Sequence, residues 1–412
     1  MTRRRHPSFP PYRLGASVSF SRSSRSPLQL PLPLYLLALA VFAMGTSEFM
    51  LAGLLPDLAR DLGVSVGAAG ALTSAFAVGM VIGAPLMAVL ARRRPGRSGL
   101  LAFVLVFLAA HVVGAVTTSF AVLLLSRFAA ALANAGFLAL ALTTATAMVP
   151  ADRKARALAV LLGGTTVATV AGVPGGALLG ALAGWRAAFW AVAALCVPAA
   201  LGVLRGVPES RRPEPVALRA EFAVVRAPRL VRVMLLAALV NAATFGALTY
   251  LAPVVTGPAG LSAPWVAAAL VLFGAGSFTG VTVAGRFADR HADRLLAAGG
   301  PPLLAGWLAL AALADRPAAL LALLFVQGAL SFALGATLIA RILYEAAGAP
   351  ALAGAYATAA LNAGAVAGPL LAGAVLARPT GPFLLSAGLV AAALVCAAVS
   401  GSRRGGPAST CG

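Results

Sequence analysis

Between about residue 32 and about residue 400 this chain is a succession of apolar runs almost without charge, and that pattern restricts its fold most. Residues 100–116 carry a single His and no charged group, and residues 384–399 carry neither. Inside a hydrocarbon layer a backbone N–H or C=O finds no water. A spanning segment must therefore be an α-helix or part of a closed β-barrel. Barrel strands would show short alternating patterns, and this sequence has none. Crossing about 30 Å of hydrocarbon takes about 20 residues, so twelve helices leave roughly 31 positions for each span and its loop. Composition agrees, with 61% of residues hydrophobic and only 10% charged, against about 25% charged in soluble domains.

The sequence thus predicts an all-α membrane protein. Its spans fall near 33–55, 67–91, 99–117, 120–149, 157–182, 186–206, 231–254, 264–287, 295–314, 318–342, 351–376 and 381–401. They divide into two six-helix halves, 32–206 and 231–401, joined by a polar cytoplasmic linker at 207–230. Residues 1–31 form a basic tail without an acid, expected to be disordered and cytoplasmic, and residues 402–412 a second cytoplasmic tail. The first tail lacks the compact apolar core and small-residue cleavage site of a secretory signal.

The net charge of +20 could point to nucleic acid, but its distribution does not. The cations sit in short patches between apolar runs, without interleaved aromatics. With the N-terminus inside, 26 of the 31 Lys and Arg fall on inner segments, four on outer segments, and Arg127 within a span. Such a bias places both termini in the cytoplasm, in a multi-pass cell-membrane protein that contacts the lipid bilayer. No nucleic-acid partner, cofactor or metal is expected. The three cysteines make no ligand spacing, and the three His are scattered, which also argues against a membrane-embedded enzyme. A phosphate-binding P-loop needs Gly-Lys-Ser/Thr, whereas the single lysine, Lys154, lies between Arg153 and Ala155. Any work done across the membrane would then draw on an ion gradient or on a solute's own gradient.

Glu48 is the one carboxylate well inside an apolar run, and Arg127 lies at a matching depth in the fourth span. An embedded charge costs about 2.5–3.5 kcal/mol on insertion scales and is usually kept for function. The pair points to proton or ion coupling. Shifting the sequence by 197 residues aligns Pro56 with Pro253, Gly83 with Gly280, Arg93 with Arg290 and Asn134 with Ser331. Parallel repeats with a site between them near the midplane are a transporter architecture. At that offset Glu48 meets Phe245 and Arg127 meets Leu324, which would confine the ion chemistry to the first half. His111 reads as a packed, peripheral residue.

Several motifs then carry a resemblance. Gly285, Asp289 and Arg290 close the eighth span and resemble the cytoplasmic loop signature of the major facilitator superfamily, although Arg92 stands where the first half's Asp would be. In the fifth span Gly172, Pro174, Gly175 and Gly176 resemble the antiporter motif of its drug:proton antiporters. Residues 45–56, 131–137, 164–176, 184–190 and 332–338 together resemble the actinobacterial chloramphenicol-resistance exporters over about residues 31–400. That resemblance implies proton-driven export of chloramphenicol by a monomer that binds small-molecule drug and protons, with Glu48 and Arg127 coupling the proton. Candidate cavity residues are Tyr35, Asn134, Asn241, Tyr250, Gln327 and Asn362, each of which could equally be a helix–helix hydrogen bond. An exporter of a sugar, an amino acid or many drugs shares the same fold.

Overall fold

A computed structural model describes residues 30–90, 96–150, 153–208, 218–349 and 352–402. Twelve helices are long and apolar enough to cross a membrane. They are Leu32–Gly53, Val66–Leu90, Gly96–Val116, Phe120–Ala147, Arg156–Ala183, Trp185–Gly206, Pro228–Thr249, Pro264–Arg286, Ala292–Ala312, Pro317–Glu345, Ala353–Ala374 and Gly381–Ala398, called spans 1 to 12 below. Their limits follow the apolar runs to within a few residues. Spans 8 and 9 differ from expectation in lacking a non-helical loop, because the stretch Pro264–Ala312 is helical throughout. They nevertheless pass span 10 in opposite directions. Gly276 and Gly280 pack on Phe325 and Ala329, whereas Gly299 and then Gly306 pack on Leu334 and Gln327.

Lipid offers no hydrophobic drive between helices, so small residues that let backbones approach do much of the packing. The internal repeat is written in these contacts. A Cβ on Gly79 or Gly83 of span 2 would press on Phe128 and Leu132 of span 4, and one on Gly276 or Gly280 of span 8 on Phe325 and Ala329 of span 10. All four positions repeat at 197 residues. Spans 1 and 5 repeat differently. Gly164 closes on Ala38 and Phe42, and Gly364 of span 11 closes on Ala238 and Ala242 of span 7, an offset of 200. The slip of three residues falls at the 3-10 turn Met50–Gly53, which ends span 1 and has no counterpart between Thr249 and Leu251. Glu48 therefore corresponds to Leu248 rather than to Phe245, while Arg127 still corresponds to Leu324. Both partners are apolar, so the asymmetry of charge stands with one register corrected.

One core draws mainly on residues between Leu30 and Val207, and a second mainly on residues between Leu230 and Ala393. They meet at the end of the bundle remote from Leu32 and Ser402. There Tyr250 Oη donates to Pro369 O at 3.0 Å and to Gly67 O at 3.3 Å. Ser74 Oγ donates to Val366 O at 2.9 Å, and Phe49 lies 5.3 Å from Phe245, ring to ring. Span 5 meets span 8 through Ala168–Gly172 and Val173–Ala183 and hardly at all through Lys154–Val167.

Both ends are tied by polar contacts. Gly184, at φ 80° in the corner before span 6, aims Trp185 and Arg186 at Asp61. Trp185 Nε1 donates to Asp61 Oδ2 at 3.1 Å, Arg186 pairs with the same oxygen, and Arg186 also donates to Thr117 O at 3.0 Å. Donation from Arg186, with Trp185 second, holds the Asp61 carboxyl below the usual aspartate range. At the other end the segment joining the halves is not free along its length. Its helix Leu218–Val224 carries Glu221, whose Oε2 accepts the Leu352 N–H at 3.0 Å, while Tyr356 Oη donates to Glu221 O at 2.7 Å. A carboxylate at the N-terminal end of a helix is favoured by the helix dipole.

Two outcomes follow. Gly280→Ala drives a Cβ into Ala329 and should cost about 1–3 kcal/mol, read as a lower melting temperature in detergent. Gly285→Ala, with nothing within 4 Å of its Cβ, should melt like the parent; equal melting of the two variants contradicts the packing. Because the Asp61 pKa is depressed in the fold, its stabilisation is present above the unfolded value and is lost as pH falls through the folded one. Asp61→Asn should therefore be less stable than the parent at neutral pH, with the gap closing below about pH 3.9. A gap that persists unchanged into acid argues against it.

Candidate functional site

Span 1 carries Ser47, Glu48 and Phe49 just before the 3-10 turn Met50–Gly53, and three consecutive side chains on a helix point in three directions. Ser47 turns into the first half and is fully buried. Phe49 turns out of it towards Phe245 of the second half. Glu48 stands between them, half-buried.

Arg127, on span 4, is 1% exposed. Its Nη1 donates to Ser47 Oγ at 2.6 Å and its Nη2 to Ser47 O at 2.7 Å. The guanidinium carbon also lies 4.5 Å from the centre of the Phe76 ring of span 2. The fixed fork of the guanidinium suits two oxygens at once, and here both belong to one residue. Its Nε has no partner, and no ion pair of 4.0 Å or less joins it to Glu48. Sequence reasoning put the two charges at one depth; the structure puts Arg127 on the residue before Glu48 instead.

His111, on span 3, corrects the expectation of a peripheral place. It is 1% exposed, with Nε2 2.7 Å from Ser47 Oγ and Nδ1 2.8 Å from Phe107 O. Rings of Phe107 and Phe189 flank it at 4.3 Å and 5.7 Å between centroids. Neither Ser47 nor His111 was named as functional from the sequence. The signal for the histidine was a lone ionisable group in a charge-free run.

The fifth-span glycines lie behind this cluster. Span 5 is α-helical over Lys154–Val167, passes through a π turn at Ala168–Gly172 and resumes at Val173–Ala183 with Pro174 in its first turn. Proline lacks the N–H that would continue the ladder, and π turns recur at functional sites. Gly172 faces Thr46 so closely that a Cβ would strike Thr46 Oγ1, and Gly176 lies against Met50. Gly175 faces open space. The motif thus brings span 5 against the segment that holds Glu48.

The remaining candidates are spread out. Tyr35 is 47% exposed near the start of span 1. Asn134 Nδ2 lies 3.6 Å from Met80 Sδ, Asn241 Nδ2 donates to Leu361 O at 2.7 Å, and Asn362 Nδ2 donates to Thr358 O at 3.0 Å. Gln327 is enclosed within the second half, with Nε2 on Leu303 O at 3.1 Å and Oε1 unpaired. Tyr250 binds the two halves together, as described. Gly285 is in open space, and the side chains of Asp289 and Arg290, like residues 92–95, lie outside the described residues. Two openings among the described residues bear on the site. A gap of about 10 Å³ separates the halves between Phe49, Thr169, Val173, Leu270 and Phe332. A larger cavity of about 310 Å³ lies wholly in the second half among spans 7, 9, 10 and 12, and contains none of the candidates.

A family model described as Major Facilitator Superfamily matches residues 37–304. The chain is 66% identical over 375 residues to the chloramphenicol resistance protein of Streptomyces lividans, covering 89% of this chain and 96% of that one. It is 34% identical over 388 residues to the inner membrane transport protein YdhP of Escherichia coli (strain K12), covering 93% and 99%. Among solved structures, the inward-facing, occupied form of a bacterial homolog to the human lysosomal transporter Spinster superposes with a TM-score of 0.72 at 18% identity, covering 89% of this chain and 96% of that one. The peptide transporter POT in complex with alafosfalin gives 0.73 at 15%, covering 92% and 96%; both likenesses concern the fold. With twelve membrane-length helices, a family model matched over most of the chain and a relative matched almost end to end, this multi-pass membrane protein belongs to the Major Facilitator Superfamily of transporters.

Proposed function

We propose that this protein exports chloramphenicol across the cell membrane in exchange for protons, with both termini in the cytoplasm and as a monomer. The observation that carries the substrate is the 66% identity, over nearly the whole of both chains, to a chloramphenicol resistance protein. The distribution of Lys and Arg supports the orientation. In that orientation the contacts of Tyr250, Ser74 and Phe49 lie at the outer side of the bundle. The two halves then rock about the site between them.

Glu48 is the proton carrier in this reading and Arg127 its electrostatic partner. Proton and drug exchange when protonated Glu48 and an occupied site exclude one another. A ligand shifts such an equilibrium only by its differential affinity for the two states. Arg127 sits one residue away, on Ser47, and can pass between Ser47 and the carboxylate. Chloramphenicol is neutral, hydroxylated and aromatic, so its site needs apolar walls with a few polar groups. Asn134, Asn241 and Asn362 fit that need, since each uses its N–H on a protein partner and leaves Oδ1 without one among the described residues. Tyr35 adds an exposed ring. Tyr250 and Gln327 act through packing.

A sensitive host expressing the chain should tolerate more chloramphenicol, and an uncoupler should abolish the gain. Unchanged tolerance sinks the substrate but leaves the fold intact. Glu48→Gln should lose export against a gradient while still exchanging drug across vesicles without one. Uphill export by that variant contradicts the coupling role. Arg127→Lys replaces the fork with a point charge and should lower coupled export at least tenfold, about 1.4 kcal/mol, measured as drug efflux from loaded cells.

A further inference from the structure

Buried between Phe107 and Phe189, His111 belongs to a chain of hydrogen bonds whose directions are all determined. Phe107 O only accepts, so the Nδ1 that faces it at 2.8 Å carries a hydrogen. In a neutral ring Nε2 is then the acceptor, and Ser47 Oγ must donate to it across 2.7 Å. With its hydrogen committed, Ser47 Oγ offers a lone pair to Arg127 Nη1 at 2.6 Å. The order runs Arg127 to Ser47 to His111 to Phe107, and every member is buried.

We propose that His111 is a second proton-binding group of the transporter, and that its protonation and the docking of Arg127 on Ser47 exclude each other. A proton added at Nε2 turns that atom from acceptor to donor. Ser47 Oγ would then receive N–H groups from two cations, and its own hydrogen would lose its partner. Two cations bridged by one oxygen, away from water, repel strongly. Uptake of one proton by the neutral ring gives an imidazolium and releases Arg127 towards the carboxylate of Glu48. Loss of that proton restores the acceptor and returns Arg127 to Ser47. His111 thus sets where the arginine sits, and the arginine sets whether Glu48 is paired. Among the described residues, the charged groups on the elements around the ring are few. Span 1 offers Glu48, span 4 Arg127, and span 6 Phe189, while Arg186 of span 6 is engaged with Asp61 and Thr117 at the end of the bundle.

This deepens the proton-coupling reading and rests on it, so the test has an arm that needs no drug. The chain has three histidines, so nitrogen NMR of histidine-labelled protein in bilayers resolves His111 by comparison with His111→Gln. The neutral ring with hydrogen on Nδ1 is expected in the drug-free protein; the opposite tautomer or an imidazolium there overturns the proposal. In proteoliposomes, His111→Gln offers Ser47 an acceptor but cannot become a cation. It should keep drug exchange without a gradient within about twofold of the parent and lose pH-gradient-driven accumulation at least tenfold. Full gradient-driven accumulation by His111→Gln overturns the role of His111. A parent protein that moves no chloramphenicol overturns the substrate reading instead, and leaves the NMR result to decide on the histidine. If His111→Gln does not assemble, His111→Asn takes its place in both arms, with the same outcomes.

Discussion

Everything around the site depends on how a full positive charge is held where there is no water. Arg127 is almost wholly enclosed, and burying an unpaired guanidinium would be prohibitive. The first half meets this with an oxygen pair from Ser47 and the face of Phe76. Four of the six helices of that half are committed by it: span 1 supplies Ser47, span 2 Phe76, span 3 His111 behind the serine, and span 4 the arginine. None of these direct partners is a carboxylate, so the guanidinium rests on neutral groups. Glu48, one residue from the serine, is the anion within reach. A site in which a cation rests on a neutral residue beside an acid is poised to switch.

In the proposed mechanism the packing would make that switch mechanical. Glu48 lies between a residue fixed to Arg127 and Phe49, which rests on Phe245 of the other half. The 3-10 turn that follows is where the first half slips three residues against the second, so the irregular backbone occurs next to the acid. On the other side the π turn of span 5 and Gly172 press against Thr46. A rearrangement around Glu48 would be felt at the contact between halves through one ring and at span 5 through one glycine.

Much of this was legible in the sequence. Twelve spans could be read because about 20 consecutive apolar residues have few alternatives to a membrane helix. The embedded Glu48 and Arg127 stood out because charge in such runs is rare. The repeat was visible through Gly83 and Gly280, whose packing demands no side chain. Its slip at Met50–Gly53 was not, since a three-residue slip leaves no mark in weakly matching helices, and Glu48 was therefore set against the wrong residue of the second half. The hydrogen-bond chain was hidden for a different reason. Ser47, His111 and Arg127 lie 64 and 80 positions apart, and serine and histidine in apolar helices are as often packing groups as functional ones. Gln327 and Tyr250 show that other side, polar residues in spans that hold helices together.

The central claim is that drug and proton compete through Glu48, and proton release on binding tests it most directly. Chloramphenicol added to the purified protein in weakly buffered detergent solution should acidify the medium by about one proton per bound drug at most, by linkage. Glu48→Gln should bind without acidification. Saturable binding by the parent with no change in pH, or equal acidification by parent and variant, would contradict the account.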